Sequence, residues 1–217
     1  MKAPLLFLTL ASTLVLAGCS SLLGGGARTP TTIYAPPVQV TPDPAWPQVA
    51  ASIVVTKPTA PRLLDSARIA VRPSPDELQV YKGAAWAQSA TSMLEDAVLR
   101  ALEDSGKTAG VGSAESGIHG AYKLLLDVRR FEADYAGGAT PAATLVVNAK
   151  LVRNLDQSVL ASRTFSVAQP AAGTDIAQVV PAFDQALAQL TGQIVGWTLT
   201  TAAVQPATPP RAAPQTR

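Results

Sequence analysis

One cysteine, one histidine and a 15% share of charged residues are the shortages that first narrow the 217-residue chain. A single thiol cannot close an intramolecular disulfide framework, and it cannot supply a thiolate-rich zinc site. One imidazole cannot build the histidine clusters that most catalytic metals need, so metal-dependent hydrolysis is not expected. Basic residues outnumber acidic ones by two, 17 against 15, and they are scattered rather than gathered in a block. No nucleic-acid partner is expected from such a distribution. The 47% hydrophobic share does not indicate a membrane-spanning protein, because the longest apolar run, Leu5–Leu16, is too short to cross ~30 Å of hydrocarbon.

What the chain does have begins at that run. Met1 and Lys2 form a minimal positive start, the apolar segment follows, and it closes on Leu16-Ala17-Gly18-Cys19. Small residues at the last two positions let an extended backbone enter a peptidase groove, and the chain's only cysteine comes next. The pattern resembles the lipobox of bacterial lipoproteins. That resemblance implies a diacylglycerol on the Cys19 sulfur, cleavage by signal peptidase II between Gly18 and Cys19, and an N-acyl chain on the new amino group. No cofactor is expected beyond these covalent lipids. Ser20 stands where an aspartate tends to retain enterobacterial lipoproteins at the inner membrane, which implies the outer membrane, on its periplasmic side.

Four segments follow from composition and period. Residues 1–18 read as signal peptide and 19–48 as a lipidated, Pro/Gly-rich tether; 49–202 read as a folded domain and 203–217 as a disordered Pro-rich tail. A wholly polyproline-like tether of that length would reach ~90 Å. Ile33-Tyr34 stand out in it as a pair expected to dock on the domain. Within the domain, strands are expected at 52–56, 67–72 and 78–81. Three- and four-residue spacing from Trp86 to Ser105 predicts an amphipathic helix ended by Gly106. After a short piece around Val111, strands are expected at 122–131, 143–152 and 159–167. Thr174-Asp175 then cap a second helix that either starts near Pro181 or kinks there. This order predicts an α/β (α+β) two-layer sandwich, a largely antiparallel sheet with two helices packed on one face.

No catalytic constellation stands out among these elements. His119 has no Gly-x-Ser-x-Gly elbow beside it and is assigned no role. Asp127, Glu132 and Asp134 lie close in sequence, and the last two share a face of an extended strand. Paired carboxylates could serve glycoside cleavage. A solvated strand end interleaved with Arg129 and Arg130 is the simpler expectation. Neither Gly24-Gly25-Gly26 nor Gly110-Val111-Gly112 has the strand-to-helix context of a phosphate loop. No catalytic or metal site is therefore expected, and the function falls to binding or assembly.

An ordered set of features carries a family resemblance. It runs from Ile53-Val54-Val55 with Pro58, through Leu64-Asp65-Ser66 before Ile69, to Leu78 and Tyr81 ahead of Trp86-Ala87. Met93-Leu94, Leu102 and Ser105-Gly106 follow, then Leu126, Val128 and Phe131. The last part is Ala182-Phe183-Asp184-Gln185-Ala186-Leu187 with Leu190 and Trp197. Over residues 50–200 the chain resembles the ABC-type transport auxiliary lipoprotein component family. It departs at Ser66 and Gln88-Ser89, where members often carry a basic residue and a Pro-Leu pair. The resemblance implies a non-catalytic docking subunit of a lipid transport system. Its partners would be a mammalian-cell-entry domain protein with its permease and ATPase, and outer-membrane lipid. Related assemblies are built on rings, which implies a homo-oligomer. The alternative is an independent outer-membrane lipoprotein for envelope maintenance or peptidoglycan contact.

Overall fold

Alternation of apolar and polar residues builds most of the sheet. A computed structural model describes residues 30–204. The signal, the lipobox Leu16–Cys19 and residues 205–217 lie outside the described residues. The eight strands are β1 (Thr32–Tyr34), β2 (Val49–Val55), β3 (Arg68–Ser74), β4 (Glu77–Trp86), β5 (Thr108–Ser113), β6 (Tyr122–Asp134), β7 (Ala142–Arg153) and β8 (Val159–Pro170). The helices α1 (Ala90–Ser105) and α2 (Ile176–Val204) complete the expected two layers, packing against each other and against the sheet. The sheet is mixed. Its long ladders, β6 with β7 and β7 with β8, are antiparallel, whereas β1–β4, β2–β5, β2–β6 and β3–β6 pair in parallel over shorter stretches.

Strand β6 organises this topology. Along one edge it pairs with β7 over almost its whole length. The other edge is shared: β2 takes Tyr122–Leu124 and β3 takes Glu132–Asp134, with Thr59 bridging Asp127 between them. Two arms of the sheet thus meet on one central strand. In β6, Leu124, Leu126, Val128 and Phe131 are buried, and the parity changes at Arg129, where a bulge shifts the register.

Helix α1 starts later than its period suggests. Ser89 caps it, its hydroxyl accepting the Ser92 N–H at 3.3 Å, and Gly106 ends it in the left-handed region with its N–H on the Glu103 carbonyl. Trp86, read above as the first residue of the helical stripe, instead closes β4. Gly83, at φ 67°, lets β4 continue past an irregular register rather than stop at Tyr81. Helix α2 runs unbroken through Pro181. The N–H that proline lacks would have met the Ala177 carbonyl, and both residues are exposed, so water can satisfy that oxygen.

The tether needs the largest correction. Its part from Thr32 to Gln48 lies against the domain as a strap: β1 pairs with β4, and Tyr34, Val38, Val40 and Trp46 pack on the core while Ile33 stays exposed. Proline density does not prevent such packing, because an extended segment can bury alternate side chains without using its N–H groups. Gly196 on α2 makes the room for Trp46, and Gly192 lies beside Val40. A Cβ at Gly196 would stand 2.7 Å from Trp46 Nε1, and one at Gly192 would stand 3.6 Å from Val40. Lys107 Nζ also donates to the Pro44 carbonyl at 3.2 Å. Trp46→Ala is expected to cost about 1.5 kcal/mol, the worth of a half-buried indole. Faster amide exchange confined to residues 36–48 would register the loosened strap; unchanged exchange there would contradict this packing.

Candidate functional site

The carboxylates singled out in β6 are tied into an ionic cluster. Glu132 is only 2% exposed: Arg72 Nε and Arg130 Nε reach its Oε1 at 2.7 and 2.6 Å, and Arg72 Nη2 reaches Oε2 at 3.2 Å. Arg130 Nη2 also donates to Asp134 at 2.5 Å, and Asp134 accepts the Ala136 N–H at 2.9 Å. Asp127 stands apart, with Arg129 at 3.2 Å and the Thr59 hydroxyl. The expectation of a solvated strand end therefore fails for Glu132. Its cause is the parallel pairing of β3 with β6, which brings Arg72 beside it from 60 residues away. Both Glu132 oxygens are occupied by guanidinium donors, so the group is committed to holding β3 on β6. His119 is exposed between a short 3-10 turn, Ala114–Ser116, and β6.

This cluster links stability to pH. Burial pushes the Asp134 carboxyl up, but the hydrogen bonds from Arg130 and the Ala136 N–H outweigh it and hold the pKa below the ordinary value. A depressed folded pKa contributes stability that is full above the unfolded value of about 4 and is lost as pH falls through the lower folded value. Urea titrations at pH 6 and pH 3 should show that loss, and Asp134→Asn should reduce the difference. Glu132→Gln is expected to cost about 2–3 kcal/mol. That is below the usual range for halving a buried pair, because Arg72 and Arg130 keep 24% and 34% side-chain exposure and can recover water.

A second feature lies at the sheet's end. Among the described strands β8 pairs only with β7, leaving a twelve-residue edge open. Beside that edge β8 and α2 form a groove of about 360 Å³ lined by Arg163, Phe165, Gln193, Gly196, Trp197 and Thr200. Phe165 and Trp197 meet edge to face at 5.7 Å, and the Arg163 guanidinium lies 4.9 Å above the Phe165 ring. Sequence reading placed Trp197 on the apolar stripe of α2 but passed over Arg163. Its signal was there: it is the only charged residue in β8.

The described domain thus combines a buried ionic cluster that joins β3 to β6 with an open strand edge beside an aromatic groove. Residues 32–195 match the family model of the ABC-type transport auxiliary lipoprotein component. The chain belongs to that family of lipid-anchored membrane lipoproteins. Its fold is similar to the crystal structure of protein XCC0632 from Xanthomonas campestris, at 59% identity over 80% of this chain and 98% of that one, with a TM-score of 0.77. Protein CT253 from Chlamydia trachomatis shares the fold at 10% identity and a TM-score of 0.51, over 71% of this chain and 99% of that one. Protein bll6063 of Bradyrhizobium diazoefficiens is 28% identical over 193 residues, which are 85% of this chain and 49% of that protein. The chain thus spans about half the length of that curated relative.

Proposed function

We propose that the protein is a non-catalytic docking subunit of an ABC-type transport system of the mammalian-cell-entry kind, which moves phospholipid or another hydrophobic cargo across the envelope. Cys19 carries the lipids, Leu16, Ala17 and Gly18 present it to signal peptidase II, and Ser20 directs it to the outer membrane. The observation that carries the reading is the family match across residues 32–195, nearly the whole described domain. The open β8 edge supports it, because an auxiliary subunit must offer a surface to its transporter. The strap sharpens the geometry. If the domain begins at Thr32, the stretch from Cys19 spans at most about 45 Å when fully extended, half the reach of a tether running to Gln48. Docking then happens near the lipid surface.

Affinity capture of the lipidated protein from detergent-solubilised membranes tests the proposal. The ATPase, the permease and a mammalian-cell-entry protein should elute together with it. Elution with peptidoglycan fragments and none of those three would favour an independent envelope lipoprotein instead.

A further inference from the structure

Strand edges are hazards that natural proteins blunt with shortness, proline, bulges or charge. The described chain has three. β1 is only three residues long, and β5 is six residues interrupted by Gly110 and Gly112. β8 is different: after a bulge near its start, its pairing with β7 is regular from Ala161 to Pro170. Proline appears only at its last residue, and Arg163 is its one charge. The neighbouring face of α2 adds none, since its exposed stripe is Gln178, Gln185, Gln189 and Gln193 and its sole charged residue, Asp184, is half-buried. A long, regular edge without such protection is suited to being covered. None of the ion pairs among the described residues uses Arg163.

We propose that β8 is completed by an extended segment of a partner protein, paired along Ala161–Pro170, with an acidic side chain at Arg163 and an apolar one in the Phe165–Trp197 groove. Main-chain pairing would supply affinity and the two side chains on one face would set register and choice. Neither segment outside the described residues has the acid such a strand needs: residues 1–29 contain no Asp or Glu. Residues 205–217 hold four prolines and two arginines with no Asp or Glu. A second copy fails on charge as well: β8 against β8 puts two Arg163 guanidiniums in one short ladder with no carboxylate, and neither β1 nor β5 carries an acid. It rests on the docking role proposed above, and names the chemistry of the partner.

The probes are two synthetic strand peptides, TVTETFTV and TVTKTFTV, each with Val, the charged residue, Phe and Val on one face. With the full-length lipoprotein in detergent, the acidic peptide should slow amide exchange within residues 161–170. It should also bind about tenfold more tightly than the basic one, the sum of an attraction lost and a repulsion gained at a partly exposed pair. Arg163→Glu, at an exposed position, should lower the melting temperature by no more than about 4 °C, through the lost contact with Phe165, and invert the preference. Equal affinities, no binding by either peptide, or protection confined elsewhere would overturn the proposal. Capture from membranes separates the two ideas. Transporter proteins eluting alike with wild type and Arg163→Glu would sink the edge inference and keep the transport role. Peptide binding without any transporter protein in the eluate would do the reverse.

Discussion

Cys19→Ser is expected to abolish acyl labelling and remove the protein from its place on the envelope, leaving an uncleaved precursor that still carries residues 1–18. The size of the effect follows from transfer energetics. Each buried CH₂ contributes ~0.8 kcal/mol, so a single chain binds reversibly while the two or three chains of a mature lipoprotein hold it permanently. The rest of the protein offers little in their place: the net charge is only +2, and among the described residues no helix is long and apolar enough to cross a membrane. The mutant is also a clean test, because Cys19 is the only thiol in the sequence. Metabolic labelling with a fatty acid, followed by fractionation, should give full incorporation into wild type and none into the variant. Normal processing and labelling of Cys19→Ser would refute the lipobox assignment. The domain should fold in either case, since its core is formed by residues from Val49 to Ala202.

Patterns confined to a few turns or one strand were legible. The meander of β6, β7 and β8 and both helices follow from period and from Gly106 and Thr174-Asp175, all within one element or its cap. What escaped was set by pairing at long range. Glu132 looks like one more polar residue in an alternating strand, and only the parallel ladder with β3 converts it into a buried anchor for Arg72 and Arg130. The strap was hidden for a different reason. Its prolines resemble a linker, yet Tyr34, Pro36, Val38 and Val40 recur at every second position, and all four are partly buried. That alternation was the available sign that the segment had a buried side. Trp86 was misplaced because β4 and α1 are separated by only three residues, so a helical period drawn backwards absorbs the end of the strand.

The strap and the helices also share one logic. α2 carries small residues where other chain segments approach it, Gly192 and Gly196 under Val40 and Trp46, and it carries large ones where it meets the sheet. Its exposed stripe is left uncharged. One helix therefore clasps the N-terminal segment, fills the core and flanks the open edge. A partner seated on β8 would touch the same helix that holds the strap.

Phe183→Ala in that helix is expected to cost the fold about 4 kcal/mol. Phe183 is 1% exposed and lies in an aromatic triad that joins three elements. Its ring stacks on Phe131 of β6 at 5.2 Å and meets Trp86 of β4 edge to face at 5.1 Å, while Trp86 and Phe131 meet at 6.3 Å. Truncating a buried phenylalanine costs about 3–5 kcal/mol through lost transfer energy and the cavity left behind. Aromatic geometry adds about 0.5–1.5 kcal/mol for a favourable pair, and Phe183 belongs to two. The site has little freedom to collapse, because Trp86 is held by the β4 ladder and Phe131 by the long pairing of β6 with β7. For a domain of this size the loss corresponds to a fall in melting temperature of about 8–16 °C. Phe183→Leu keeps much of the volume and should cost less than half as much. Differential scanning calorimetry of both variants decides the matter: equal, small effects would mean that the triad is not what joins α2 to β4 and β6.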